Sequence, residues 1–394
     1  MVNIIKNTKE LPLIYIIAGE PSGDLLGANL MCSLIKLTDG KIRFAGVGGS
    51  RMKAAGLKSL FPMEDISLMG FIEILPHLPL IFKRLTQVKK DINKNKPRCV
   101  ITIDSPEFNF RVGKSIKDPN IYIIHYVAPT VWAYRPKRAE KISKFLDLLL
   151  VLFPFEPTYF EKVGLETTFV GHPLAKKNIK NIDPRVLLRD IDFKEDNIYI
   201  TILPGSRKTE IKRHISLFEK ALRPLAVKNK KIVFLLPIAD NLRKEYIQKQ
   251  IQNWSIPVHI LSGEEQKYTA FKISRAALAV SGTVTLELAI AGLPMIVVYR
   301  ANPITAAIAK RIIKLKNISL GNILLGKSVA TELLQENATP KNITDSLWSL
   351  IIDSPSRDLQ INEWKKIPDL LTTENKDSPS NQAASAILKK INLI

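Results

Sequence analysis

Cysteine is nearly absent: Cys32 and Cys99 are the two in 394 residues, both in apolar surroundings. Two thiols without metal-ligand spacing argue against a disulfide framework and fit a reducing compartment. The histidines at 77, 125, 172, 214 and 259 form no closely spaced pair, so no protein-held metal is expected, and no other cofactor. No uninterrupted apolar stretch reaches the ~20 residues of a membrane-crossing helix. Lys6 and Lys9 before the apolar Leu11 to Gly19 imitate a signal peptide, but that run is short and leads directly into Glu20-Pro21-Ser22-Gly23-Asp24. A first β-strand ending in a functional loop fits better, in a cytoplasmic protein. Repeats at solenoid or propeller periods are also missing.

Acid is scarce relative to base. Lys plus Arg outnumber Asp plus Glu by 58 to 37, giving a formal charge of +21. Such a surface draws polyanions, phosphorylated ligands or anionic membrane, and charge alone does not choose among them. No nucleic-acid-binding motif accompanies it, so nucleic acid is not an expected partner.

What is present is a chain with 46% hydrophobic and 24% charged residues, ordinary for a folded protein and long enough for two lobes. Apolar β-rich runs alternate with amphipathic segments, the pattern of parallel sheets with helices on both faces. Strands are predicted at 13–18, 42–47, 99–103, 121–126, 147–152 and 167–170. A second winding places them at 197–203, 231–236, 257–261, 276–280 and 294–299. Helices are predicted at 24–37, 83–95, 137–145, 207–222, 240–252 and 283–291. Beyond residue 300 the sequence reads as helical, with no strand, ending in a helix over 382–392. The expected fold is α/β, two doubly wound Rossmann-like lobes facing across a cleft. An acceptor-side lobe over 1–175 is followed by a nucleotide-sugar lobe over 176–365. A helical tail over 366–394 is expected to pack back on the first lobe.

Chemistry in such folds comes from loops at the carboxyl ends of strands. Strand 197–203 runs into Pro204-Gly205-Ser206-Arg207 and a helix, where a glycine, free amides and a guanidinium fork suit a diphosphate. A capped turn with a solvent-facing Arg is the plainer alternative. Strand 276–280 leads into Ser281-Gly282-Thr283, with Glu287 one turn beyond Thr283, a spacing that suits a ribose diol. Equally, Thr283 could be a cap and Glu287 a first-turn acid. Asp104, at the tip of strand 99–103, can remove a proton from an attacking hydroxyl, or can serve as an N-cap before Pro106. In the first loop, Glu20, Ser22, Gly23 and Asp24 are candidate cleft contacts, with capping as the alternative. His125, Trp132 and Arg135 combine aromatic surface and charge in a segment that suits a sugar pocket or plain core packing. Phe61 to Arg84 is apolar, punctuated by prolines and closed by Lys83 and Arg84, which suits either a lipid surface or burial. Arg300, Lys310, Arg311, Lys314 and Lys316 form a second basic cluster, either a solvated helix face or a membrane contact.

Together these segments resemble lipid-A-disaccharide synthases over nearly the whole chain. The resemblance is carried by Ala18-Gly19-Glu20, Ser22 to Ala28, Gly46 to Gly49, Met69 to Glu73, Ile103 to Asn109, Tyr126 to Arg135 and Phe169 to Pro173. Leu203 to Arg207, Ser281 to Glu287, Asn322 and Glu332 to Gln335 complete it. It implies a GT-B-like fold and transfer of diacylglucosamine from UDP to diacylglucosamine 1-phosphate. The products would be a β-1,6 disaccharide, formed with inversion, and UDP. Asp104 would be the base, with Arg207, Glu287, Asn322, Glu332 and Gln335 around the donor. The work would take place at the cytoplasmic face of a Gram-negative inner membrane, whose anionic surface would be a partner. The residues leave other readings open: another UDP-sugar transferase or epimerase, or a noncatalytic polyanion- or membrane-binding protein.

Overall fold

The computed structural model describes residues 11–67, 78–134, 137–177, 179, 182, 193–238, 244–302 and 316–393. The chain divides into two compact units, Met1–Pro173 with Leu371–Ile394, and Leu174–Leu370.

In the first unit six parallel strands run β1 (Leu13–Ala18), β2 (Arg43–Val47), β3 (Cys99–Ile103), β4 (Tyr122–Tyr126), β5 (Leu148–Val151) and β6 (Thr167–Phe169). Their order across the sheet is β2-β1-β3-β4-β5-β6, so the winding reverses between β1 and β3. β1, β3 and β5 are buried along their whole length, as strands covered on both faces must be, and this is why they read as unbroken apolar runs. The helix Pro21–Leu37 starts with a proline in its first turn, where a missing N–H costs nothing. The last helix, Pro379–Lys390, is capped by Ser378, whose Oγ accepts from the Asn381 amide at 3.1 Å. It buries Ala383, Ala384, Ile387 and Leu388 against Pro21–Leu37. Arg98 holds its end by donating from Nε and Nη2 to the Ile391 carbonyl at 3.2 and 3.1 Å.

The second unit repeats the plan with β7 (Ile198–Leu203), β8 (Ile232–Ile238), β9 (Val258–Ser262), β10 (Ala276–Val280), β11 (Met295–Tyr299) and β12 (Thr331–Leu334). The order β12-β11-β10-β7-β8-β9 reverses between β7 and β10. β12 corrects the expectation of no strand after residue 300. It has four residues at a sheet edge and one of them is buried, too little apolar pattern to read as a strand from sequence. The helix Pro340–Ile351 shows how propensity and packing agree. Thr339 caps it, accepting from the Asn342 amide at 3.1 Å, and Ile343, Leu347, Leu350 and Ile351 make one apolar stripe. That stripe lies under β10 and β11 and against the helix Lys208–Lys228.

Among the described residues no helix is long and apolar enough to cross a membrane. Of the apolar segment from Phe61 to Arg84, residues 68–77 lie outside the described set. At its end Phe82 is about half exposed, while Arg84 is ion-paired with Asp65 at 2.6 Å and lies 4.7 Å from the centre of the Phe61 ring. Arg84 is therefore held by the protein itself. Of the second basic cluster, Lys310, Arg311 and Lys314 lie outside the described residues.

Candidate active site

In each unit the reversal of strand order opens the sheet at its carboxyl edge, because consecutive connections leave in opposite directions. The loops at those two places carry most of the residues of interest.

In the first unit the reversal lies between β1 and β3. Asp104 still belongs to the ladder through its amide, which donates to the Tyr126 carbonyl at 3.0 Å. The chain then turns sharply, with Asp104 at φ 51° and Ser105 at φ 43°. Left-handed backbone at non-glycine residues costs about 1–3 kcal/mol each, so something must hold the turn. Asn109 does so: its side-chain amide donates to the carbonyls of Ile103 (3.1 Å) and Asp104 (2.7 Å). Gly19 makes room, since a Cβ there would sit 2.4 Å from Ser105 Oγ. Asp104 is not the N-cap; Ser105 occupies that position, and Asp104 Oδ1 accepts from the Ser105 amide at 2.9 Å. Burial pushes the Asp104 carboxyl above its ordinary range, and the Ser105 amide pulls it partly back. A half-buried carboxylate of raised basicity is what a general base at neutral pH requires.

The other first-unit candidates separate. Glu20 precedes the helix Pro21–Leu37, and its carbonyl accepts from the Asp24 amide at 2.9 Å. Ser22 is exposed in the first helical turn, and Gly23 lies against the Ile103 carbonyl. The Asp24 carboxylate is buried and accepts from the amides of Gly49 (2.8 Å), Arg51 (2.9 Å) and Met52 (3.0 Å). It neutralises the start of the helix Ser50–Ala54, a cap supplied from a distant part of the chain. His125 lies fully buried within β4. Its Nδ1 pairs with Thr102 Oγ1 at 2.7 Å and its ring meets Phe110 edge-on at 4.7 Å. Burial, with the charge of Arg138, lowers its pKa to about 3, so the ring stays neutral. Trp132 does reach the carboxyl edge, donating from Nε1 to Glu156 Oε1 at 3.3 Å and meeting Phe155 edge-on at 5.4 Å. Phe155 in turn stacks on Phe153 at 5.5 Å, and Phe153 meets His172 at 5.3 Å. Arg135 lies outside the described residues.

In the second unit the reversal lies between β7 and β10, and there the loops after both strands line one cavity of about 500 Å³. Gly205, Ser206, Arg207, Gly282, Thr283 and Glu287 all face it. Gly205 has φ 118°, a conformation open to glycine. The amides of Ser206 and Arg207, expected to be free, instead donate to Glu210 Oε2 at 3.0 and 3.2 Å. The Arg207 side chain is about two-thirds exposed (69%), with Nη1 3.7 Å from Glu210 Oε1. Across the cavity Thr283 makes no capping bond; Thr285 Oγ1 donates to the Gly282 carbonyl at 2.8 Å and secures the turn. Glu287 is held by Lys267, whose Nζ lies 2.6 Å from Oε2, and by the hydroxyl of Tyr268.

Asn322, Glu332 and Gln335 do not line this cavity. Asn322 is fully buried: it donates to the Ala330 carbonyl (2.9 Å) and Glu332 Oε1 (2.8 Å) and accepts from the amides of Val329 and Ala330 (2.9 Å each). Glu332 also accepts from Ser319 N and Oγ (2.9 and 2.7 Å) and from the Ile318 amide (2.8 Å). Gln335 Oε1 accepts from the Ala301 amide at 3.2 Å. These side chains pin the 317–335 segment to itself and to the loop after β11. Among the described residues no cluster of three or more His, Cys, Asp or Glu offers a metal site.

Two cavity residues were not found in the sequence. Glu210 carries the spacing of a capping box, but the cap position is Arg207, an unusual residue for it, which hides the motif. Lys267 has no local signal, because its role depends on the helix Glu264–Ile273 lying beside Val284–Ala291.

Two parallel α/β units, each with loops gathered where its strand order reverses, place the chain in the GT-B-like class. The S. aureus MnaA-UDP co-structure shares that fold at TM-score 0.63, with 14% identity and 98% of each chain covered. MurG of Acinetobacter baumannii does so at 0.54, with 13% identity, covering 97% of this chain and 100% of that one. The sequence narrows the class. The family described as LpxB, lipid-A-disaccharide synthetase, matches residues 14–387, and the chain belongs to it. The lipid-A-disaccharide synthase of Rhodospirillum centenum is 42% identical over 381 residues, covering 96% of this chain and 94% of that protein. That of Gluconobacter oxydans is 39% identical over 380 residues, covering 96% and 91%. The protein is accordingly a hexosyltransferase that converts UDP-diacylglucosamine and diacylglucosamine 1-phosphate to the lipid A disaccharide and UDP.

Proposed function

We propose that the two sheet reversals divide this reaction between them: the first unit binds the acceptor and supplies the base, and the second binds the UDP-sugar. Asp104 takes the proton from the acceptor's 6-hydroxyl as that oxygen attacks the anomeric carbon of the donor. The bond to the diphosphate breaks on the opposite face, so the new β-1,6 linkage forms with inversion. Negative charge then gathers on the departing UDP, where the Arg207 guanidinium and the amides of the Gly205 turn stabilise it. Glu287, oriented by Lys267 and Tyr268, accepts from the ribose hydroxyls. Trp132 and its neighbouring aromatic rings offer an apolar surface to the acceptor sugar.

The observation that carries this reading is the shared cavity after β7 and β10, in which a glycine turn, Arg207, Thr283 and Glu287 converge. Its counterpart is a basic carboxylate held at the matching position of the other sheet. The site is proposed to work at the cytoplasmic face of the inner membrane, with the +21 charge attracting anionic lipid and Phe82 in the contact.

The test pairs two variants. Asp104→Ala is expected to lower radiolabelled transfer by ~10²–10⁴, the usual share of a general base, with UDP affinity by calorimetry unchanged. Arg207→Ala is expected to weaken UDP binding and turnover together. Full transfer by Asp104→Ala, or wild-type UDP affinity in Arg207→Ala, would refute the corresponding assignment.

A further inference from the structure

The cavity of the second unit already contains an anion of its own. Glu210 folds back over the Gly205 turn and takes both amides, Ser206 and Arg207, at 3.0 and 3.2 Å, while its other oxygen lies 3.7 Å from the Arg207 guanidinium. Gly205 is shaped for this: a Cβ there would come within 2.7 Å of Glu210 Cβ and 2.9 Å of Oε2. Glu210 itself lines the cavity. One carboxylate thus takes the two amide donors that a diphosphate would need and sits beside the guanidinium, and two anions cannot both have those amides: like charges a few ångströms apart repel, and each N–H points one way.

We propose that Glu210 is a stand-in for the diphosphate, a positioning residue that keeps the turn formed when no nucleotide is bound and is displaced by the donor's phosphates. The inference rests on reading the Gly205 turn as the diphosphate cradle. Its consequence is kinetic as well as structural. A turn already shaped by an internal anion is ready for the incoming one, and the carboxylate that competes with UDP speeds the product's departure. A residue that merely stiffened the turn would act in the opposite sense, because loosening the turn would weaken UDP.

The variant Glu210→Gln keeps the size and the hydrogen-bond acceptor while removing the charge. UDP is expected to bind it about tenfold more tightly than wild type, ~1.4 kcal/mol, by calorimetry. Uridine, which has no phosphate to compete, is expected to bind both proteins alike. In steady state the donor KM and the inhibition constant for UDP should fall together, and kcat should fall where UDP release limits it. Glu210→Ala, which removes the acceptor as well as the charge and so loosens the turn, is expected to gain less than Glu210→Gln, with circular dichroism checking that each variant is folded. Unchanged or weaker UDP binding by folded Glu210→Gln would overturn the proposal, as would an equal gain for uridine. The Arg207→Ala measurement keeps the two readings apart. If Arg207→Ala weakens UDP and Glu210→Gln does not tighten it, the cradle stands and the stand-in falls; if neither variant changes UDP affinity, the cradle itself fails.

Discussion

At the scale of single residues, burial does more than charge to set the chemistry of this protein. Asp104 and Glu156 are both acids made more basic by the apolar material around them. Glu156 is pushed from 4.5 up to about 7 by burial, against three donors, the amides of Leu152 and Phe153 and the Trp132 indole, that favour its charged form. A folded-state pKa above the unfolded one means that the folded protein binds the proton more tightly. The contribution to stability is complete below about 4.5 and is lost as pH rises through about 7. Glu156→Gln, neutral throughout, is therefore expected to gain stability relative to wild type as pH climbs from 5 to 8, read from urea unfolding at a series of pH values. A constant difference across that range would show that the buried carboxyl does not titrate there. The same physics acts on two histidines of the first unit. His125 and His172 are held neutral by burial, down to about 3 and about 4, and neither offers a proton near neutral pH.

At the scale of elements, the strand–turn–helix passages that follow β3, β7 and β10 were legible in the sequence because each ends an apolar run on glycine, proline or a polar cap. Their direction was not. The sequence of the first loop gives no sign that Asp24 reaches across to Gly49, Arg51 and Met52, because a cap supplied from another part of the chain has no fixed spacing. Nor does it show that the turn after β3 is left-handed over two successive non-glycine residues. That turn is held open by what is missing at Gly19, and the relation can be tested as a pair. Gly19→Ala drives a methyl into Ser105 and should cost about 1–3 kcal/mol of stability, the usual range for overpacking. Because it disturbs the Asp104 turn and nothing in the second unit, transfer should fall while UDP affinity holds. Adding Ser105→Gly removes both clashing atoms and suits the left-handed backbone, so the double variant should recover most of the loss. Additive defects in the double variant would mean that Gly19 matters for some reason other than room for Ser105.

At the scale of the whole molecule, each unit has its own buried core, and the chain visits the first unit twice. Ala383, Ala384, Ile387, Leu388 and Ile391 join the core built by β1, β3 and the helix Pro21–Leu37, although nearly two hundred residues of the other unit come between. The helical spacing of this last segment was plain in the sequence, and the tail was expected on the first lobe; which residues it would meet there was not legible, since an amphipathic stripe tells which face is buried and not against what. Fully burying side chains of this size is worth about 1.5–3 kcal/mol each, so Ile387, Leu388 and Ile391 together supply roughly 5–9 kcal/mol, comparable with the whole stability of an ordinary domain. The first unit should then depend on the last residues of the chain. Ile387→Ala is expected to cost about 2–5 kcal/mol there, lowering the unfolding transition of the first unit while leaving that of the second in place. Leu347→Ala, a change of the same kind in the separate core of the second unit, should do the reverse. Scanning calorimetry with saturating UDP identifies which transition is which, because a ligand raises only the unit that binds it. If both variants lower one shared transition by the same amount, the two cores melt as a single cooperative body and the division of stability between them is wrong.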